Sequence, residues 1–213
     1  MNSQSHVFKG VILGGKRVGK TLLYKHLMRG LEEQLLKSNN AGIRVRQFNV
    51  MNTDVRIQFW DWSGIKPSVN VYLNAKIVLG LFRANDPHSV FVLERLLAEG
   101  MDHFHSEVYC MIICVKDGSD EVEVDKEEVL DQLQLEQYPK IATVDYLEIS
   151  RDRFDVEPIW SVMIPKLVDV EKRCGNCFKV FEEVWFKEGY YFCAGCFPKA
   201  DVEKARAFLR IQY

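Results

Sequence analysis

A glycine-rich segment near the start of the chain could hold the phosphates of a nucleotide. It reads Gly14-Gly15-Lys16-Arg17-Val18-Gly19-Lys20-Thr21 and fits the pattern G-x-x-x-x-G-K-[ST]. In this pattern the glycines let backbone amides approach phosphate oxygens, the lysine reaches the β- and γ-phosphates, and the hydroxyl binds Mg²⁺. We therefore predict that residues 14–21 bind a nucleoside triphosphate, that Lys20 and Thr21 take part in its chemistry, and that Thr21 is a Mg²⁺ ligand.

Two cations stand in the middle of this segment. Lys16 and Arg17 are either a solvated basic loop or direct contacts to the triphosphate, and the sequence does not decide between these interpretations. Both residues are therefore kept among the predicted nucleotide-binding positions.

The segment lies between a strand and a helix, as phosphate binding requires. Apolar runs rich in β-branched residues predict six strands, at Val7–Leu13, Ile43–Val50, Val55–Trp60, Lys76–Phe82, Val108–Val115 and Ile141–Glu148. Helical patterns lie between most of them, the first over residues 20–36 and another opening at Asp86-Pro87. A last helix, with a kink at Pro165, is predicted near Val156–Arg173. The gap between the second and third strands is too short for a crossover helix and suits an antiparallel hairpin. These features predict an α/β fold with a mostly parallel six-stranded sheet.

A second short motif follows the third predicted strand. The stretch Trp60-Asp61-Trp62-Ser63-Gly64 contains D-x-x-G. A carboxylate at the end of a strand adjacent to the phosphate strand is well placed to hold Mg²⁺ through water. Alone the motif would be an ordinary turn, but behind a phosphate loop it makes Asp61 a predicted Mg²⁺ ligand.

From residue 8 to about residue 166 the chain resembles the Ras superfamily of small GTPases, closest to its Ras- and Rab-like members. The phosphate loop, the D-x-x-G motif and the order of the elements carry this resemblance. It implies a P-loop NTPase G domain, expected over residues 1–172, that binds GTP and GDP with Mg²⁺. It also implies that Gly64 senses the γ-phosphate through its backbone amide.

The resemblance also indicates which residues would recognise the base. In the family an N-K-x-D motif binds guanine; here Lys116 fits, Val115 replaces the asparagine, and the aspartate is either shifted to Asp117 or lost. In the family's E-[TS]-S-A-[KR] motif, Ser150 fits and Arg151 replaces the alanine. We predict nucleotide contacts from Lys116, Asp117, Ser150 and Arg151, with guanine bound more weakly than is usual.

Other departures concern hydrolysis and switching. The glutamine that usually follows D-x-x-G to orient water is replaced by Ile65, and only Ser38 offers a hydroxyl where the switch threonine is expected. We expect slow GTP hydrolysis in a signalling or trafficking switch, with a protein partner supplying the missing group. The alternative is a pseudo-GTPase scaffold; a P-loop ATPase or nucleotide kinase is disfavoured by the hairpin and the D-x-x-G motif.

The C-terminal part of the chain carries a metal pattern. Four of the 6 cysteines form two C-x-x-C pairs, at Cys174, Cys177, Cys193 and Cys196. Four thiolates would close the coordination shell of Zn²⁺, so that the metal would be structural rather than catalytic; a disulfide or redox pair is the alternative. We predict a zinc-ribbon or treble-clef module over residues 173–213 that ends in a helix. Protein binding is its favoured role, and nucleic-acid binding is the alternative. The other two cysteines, Cys110 and Cys114, are predicted core residues.

Composition limits the partners. The 213 residues include 28 basic and 30 acidic side chains, a net charge of −2, which gives no strong signal for nucleic acid. No apolar run reaches the length of a membrane span, and no signal sequence or lipidation motif is recognised. We expect a cytoplasmic protein whose partners are a guanine nucleotide and protein effectors or regulators.

Overall fold

Strands and helices alternate along the chain as the apolar patterns predict. The computed structural model describes residues 5–29, 36–38, 41–50, 53–62, 69–118, 124–168, 185–187, 190–192 and 195. The predicted zinc ligands Cys174, Cys177, Cys193 and Cys196, and the predicted helix after them, lie outside these ranges.

The main sheet contains all six predicted strands and one more. The strands are β1 (Ser5–Gly14), β2 (Leu36–Ser38), β3 (Ala41–Val50), β4 (Thr53–Trp62), β5 (Ala75–Arg83), β6 (Val108–Lys116) and β7 (Ile141–Ser150). Their order is β2-β3-β4-β1-β5-β6-β7. Strands β1, β5, β6 and β7 run parallel to one another, and β2 is antiparallel to β3. The mostly parallel α/β sheet is confirmed, with the three-residue β2 as an added edge strand.

The helices confirm the predicted order but not every boundary. They are α1 (Lys20–Leu27), α2 (Val69–Tyr72), α3 (Pro87–His103), α4 (Lys126–Leu133) and α5 (Glu157–Leu167), with a short 3₁₀ turn at Leu135–Gln137. Helix α3 begins with Pro87 directly after Asp86, as predicted. Among the described helices, none combines the length and apolar character needed to span a membrane.

Two helix ends were predicted too far along the chain. Helix α1 stops at Leu27 instead of residue 36, and the chain turns at Met28 shortly before a glycine, which favours helix termination. Helix α5 ends at Leu167, where Val168 is extended, so the helix does not run on from there as predicted; residues 169–173 lie outside the described residues. Its Pro165 lacks the amide that a helix interior needs.

The larger of two compact units comprises residues 8–46 and 57–155. Its apolar core lies between strands β1, β5 and β6 and helices α3 and α4, and both predicted core cysteines belong to it. Representative members are Val11, Leu13, Val78, Phe82, Leu93, Leu97, Cys110, Ile112, Cys114, Val129 and Leu133. This core supports the strand ends that carry the predicted nucleotide site.

The smaller unit comprises residues 1–7, 47–56 and 156–213. Within it, Phe48 of β3 packs against Trp160 of α5, with ring centroids 4.8 Å apart. Two further strands, β8 (Trp185–Lys187) and β9 (Tyr190–Phe192), form an antiparallel pair between the two C-x-x-C pairs of the sequence. The predicted division into residues 1–172 and 173–213 stays a prediction.

Candidate nucleotide-binding site

The predicted phosphate loop follows β1 directly and leads into α1. Gly14 has φ +147°, and a Cβ atom there would lie 2.4 Å from the carbonyl oxygen of Leu81. Gly19 has φ +102° and precedes the first residue of α1, where it offers no side chain to cap the helix. The uncapped first turn of a helix can instead receive an anion such as phosphate.

Lys20 lies across the start of this loop. Its Nζ donates hydrogen bonds to the carbonyl oxygens of Gly14, at 2.8 Å, and Gly15, at 2.6 Å. The ammonium is therefore held beside the loop backbone. Thr21, the next residue of α1, has an exposed side chain. The pair predicted to bind phosphate and Mg²⁺ thus starts the helix as the motif requires.

The middle of the loop divides into buried and exposed residues. Val18 is buried, and its Cγ2 lies 2.9 Å from the place a Cβ of Gly14 would take, so its side chain packs the loop onto the core. Lys16 and Arg17 are exposed, and neither has a hydrogen bond or ion pair within the described residues. Arg17 has φ +63°, a conformation uncommon for a residue with a side chain.

The structure describes only some of the predicted Mg²⁺ and switch residues. Asp61 belongs to β4, which neighbours β1 in the sheet as predicted, although its side chain is not described. Ser38 is in β2, opposite Ala41 of β3. Gly64 and Ile65 lie outside the described residues. Among the residues that the structure does describe, no three His, Cys, Asp or Glu side chains form a metal-binding group.

The predicted base-contact residues lie at the carboxyl ends of the parallel strands, the same edge of the sheet at which the phosphate loop begins. Parallel strands β1, β5, β6 and β7 all end there. Lys116 is opposite Ser150 in the register of β6 and β7. The amide of Arg151 donates to the carbonyl oxygen of Lys116 at 2.8 Å, so that the loops after the two strands are joined.

Asp117 is the centre of an ion-pair cluster at this edge. Arg83 donates to its Oδ2 through Nε, at 2.9 Å, and through a second guanidinium nitrogen. Arg151 donates to its Oδ1 at 3.0 Å. Burial opposes ionisation of this carboxyl, but the hydrogen bonds and charges of the two arginines outweigh it and hold the pKa of Asp117 below its usual value. The sequence analysis missed Arg83, whose only signal is a cation at the end of a buried strand.

Lys116 is also engaged by an acidic side chain. Its Nζ forms an ion pair with Glu148 of β7. Both side chains are partly exposed, so the pair contributes little to stability. The stem of Lys116 is therefore available at the surface of the strand ends.

The loop after β7 lies beside both the phosphate loop and the loop that follows β6. A Cβ on Gly19 would lie 3.5 Å from Cζ of Phe154, a buried residue with φ +38°. A Cβ on Gly118, which has φ +69°, would lie 3.0 Å from Oδ2 of Asp152. Neither Phe154 nor Asp152 was among the predicted site residues, because nothing in their spacing indicates that they lie beside the two glycines.

The comparison with known families agrees with this geometry. A model of the Ras family matches residues 9–168. The match begins within β1 and ends after α5, and leaves out β8, β9 and the four predicted zinc ligands. No curated protein gives a significant match to the chain.

Proposed function

The chain belongs to the Ras family, and from this premise we propose a Mg²⁺-dependent small G protein that hydrolyses GTP slowly and acts as a cytoplasmic signalling or trafficking switch. Membership of the family makes it a GTP-binding small G protein. The observation that carries the finer proposal is the position of Lys20, across the carbonyls of Gly14 and Gly15 at the edge where β1 ends. Charge on the β- and γ-phosphates would be stabilised there.

Two oxygen donors suit the metal. Thr21 presents an exposed hydroxyl in the first turn of α1, and Asp61 comes from the strand adjacent to β1. Hydroxyl and carboxylate oxygens are the ligands that Mg²⁺ prefers, with water completing the coordination. When bound, Mg²⁺ neutralises charge on the phosphate oxygens, and Gly64 would donate its amide to the γ-phosphate.

Slow hydrolysis follows from the residue after D-x-x-G. The side chain of Ile65 cannot hydrogen-bond to water, so it cannot position the nucleophile as a glutamine there would. A regulatory protein would supply the water-positioning group or an arginine, an effect worth about 10³–10⁵ in rate where it occurs. Protein effectors would then read the nucleotide-bound state.

A pseudo-GTPase scaffold is the second candidate. Both carboxylate oxygens of Asp117 already accept hydrogen bonds from Arg83 and Arg151, which favours weak base recognition at the predicted position. In this alternative the fold binds nucleotide for stability or not at all, and the C-terminal segment docks proteins.

The C-terminal segment is proposed to be a structural zinc module. The β8–β9 pair reverses the chain between the two C-x-x-C pairs, as a zinc ribbon or treble clef requires. A segment of this size has too little core to fold alone, and four thiolates would supply the missing free energy. We propose that it binds protein.

Single-turnover hydrolysis of bound GTP separates the two candidate functions. The unmodified protein should hydrolyse GTP slowly, and Ile65→Gln should be faster by about tenfold or more because the amide can orient water. Lys20→Ala, which removes the ammonium beside the loop, is the control expected to lose nucleotide. Absence of hydrolysis in both the unmodified protein and Ile65→Gln would favour the scaffold.

A further inference from the structure

We propose that Asp152, on the loop after β7, is the carboxylate that recognises the guanine base, and that Asp117 is a positioning residue. The inference rests on the guanine-nucleotide binding described above. It concerns the two aspartates that the structure places at the ends of β6 and β7, close to the predicted base-contact residues.

Asp117 is already committed to protein partners. Its side chain is only 13% exposed, Oδ2 accepts from Arg83, and Oδ1 accepts at 3.0 Å from Arg151. Reading a base would require this carboxylate to share or release charged hydrogen bonds, which are stronger than neutral ones. Its two ion pairs instead link the carboxyl ends of β5, β6 and β7.

Asp152 has the opposite character. Its side chain is exposed, and within the described residues no hydrogen bond or ion pair engages it. Its Oδ2 lies 3.0 Å from the point at which a Cβ of Gly118 would stand. The carboxylate therefore occupies space beside Gly118 that a side chain at that position would otherwise enter.

Backbone hydrogen bonds hold the loop that carries Asp152 in place, and the loop also reaches the phosphate loop. The amide of Arg151, one residue earlier, is bonded to the carbonyl of Lys116, and the amide of Phe154 is bonded to the carbonyl of Ser150 at 2.8 Å. The ring of Phe154 lies beside Gly19 of the phosphate loop. A nucleotide whose phosphates lie on the phosphate loop can therefore extend its base toward this segment.

The chemistry of guanine calls for such a group. Its N1–H and 2-amino group are two adjacent donors, and a carboxylate accepts both through its two oxygens. A carboxylate already bonded to two arginines is poorly suited to this role, whereas an exposed carboxylate that no described residue engages can turn both oxygens to the base.

The test is the ratio of GDP to IDP affinity, because inosine differs from guanosine only by lacking the 2-amino group. The unmodified protein should prefer GDP by about tenfold or more, because IDP cannot make the second hydrogen bond to the charged carboxylate. Asp152→Ala should bring the ratio close to one. Asp117→Ala should weaken both nucleotides alike and keep the ratio, and Asp131→Ala, an exposed aspartate of α4, should change neither.

A second variant, which moves the carboxylate from position 152 to position 118, tests for recovery of the GDP preference as well as for its loss. Gly118→Asp combined with Asp152→Ala places a carboxylate on the neighbouring position and should restore part of the ratio; aspartate adopts a φ of +69° more readily than most residues with a side chain. A ratio that survives Asp152→Ala but collapses in Asp117→Ala would overturn the proposal, as would equal weakening of both nucleotides by Asp152→Ala. If the unmodified protein binds neither nucleotide, the proposed function itself fails; if it binds both equally, only this inference fails.

Discussion

Gly14 is the residue at which the phosphate loop accepts no side chain. A Cβ there would lie 2.4 Å from a backbone carbonyl oxygen of β5, and its φ of +147° is rarely adopted by other residues. The backbones of β1 and β5 therefore approach closely at this point, directly before the rest of the phosphate loop.

We predict that Gly14→Ala destabilises the protein by about 1–3 kcal/mol, because backbone must move to relieve the overlap. The free energy of unfolding in urea measures this. Gly15→Ala is the matched control, since its Cβ would meet only side-chain carbons, of Val92 at 3.5 Å and of Val18 at 3.8 Å, which are ordinary contacts. Equal stability of the two variants would contradict the strain assigned to Gly14.

Residue-level chemistry was only partly predictable from the sequence. The phosphate loop could be predicted because its function depends on residues that are consecutive in the chain. The environment of Asp117 could not, because Arg83 reaches it from another strand end. The position of Asp152 beside Gly118 could not be predicted either, because it is the fold that brings the two residues together.

Strand β6 shows why the sheet could be predicted so closely. Eight of its nine residues are buried, and its neighbour β5 is nearly as buried, so both read as continuous apolar runs rather than alternating patterns. Helix α1 was harder, because a stripe of leucines continues beyond Leu27 while Gly30 follows the observed end of the helix. The three-residue strand β2 is too short to leave a periodic signal.

The two cysteines of β6 should be chemically inert in the folded protein. Burial and the charge of Asp145 raise the pKa of Cys110 to about 12, and burial chiefly raises that of Cys114. Since the thiolate is the reactive form, neither should react with a thiol reagent at neutral pH.

Stepwise thiol titration therefore distinguishes the core pair from the proposed zinc ligands. We predict that no cysteine reacts in the native protein, four react after a chelator removes the metal, and all 6 react in denaturant. The melting temperature should fall on chelation. Absence of any chelator effect on both reactivity and melting would contradict the zinc proposal.

At the scale of the whole molecule, the family match and the sheet account for different parts of the chain. Residues 9–168 carry the Ras-family match, and within them the strand ends gather the phosphate loop and the residues proposed to read the base. The segment after residue 168 is outside that match, and its role rests on the cysteine pattern and on the β8–β9 pair. Nucleotide binding can therefore be tested without reference to zinc.

The central claim is that this edge of the sheet binds a guanine nucleotide. Its most direct test is to denature the purified full-length protein, identify the released nucleotide by chromatography, and titrate nucleotide-free protein with GTP and ATP in Mg²⁺. We predict release of GDP or GTP and micromolar or tighter binding of GTP in preference to ATP. Release of ATP alone, or no nucleotide together with no micromolar GTP binding, would contradict the claim.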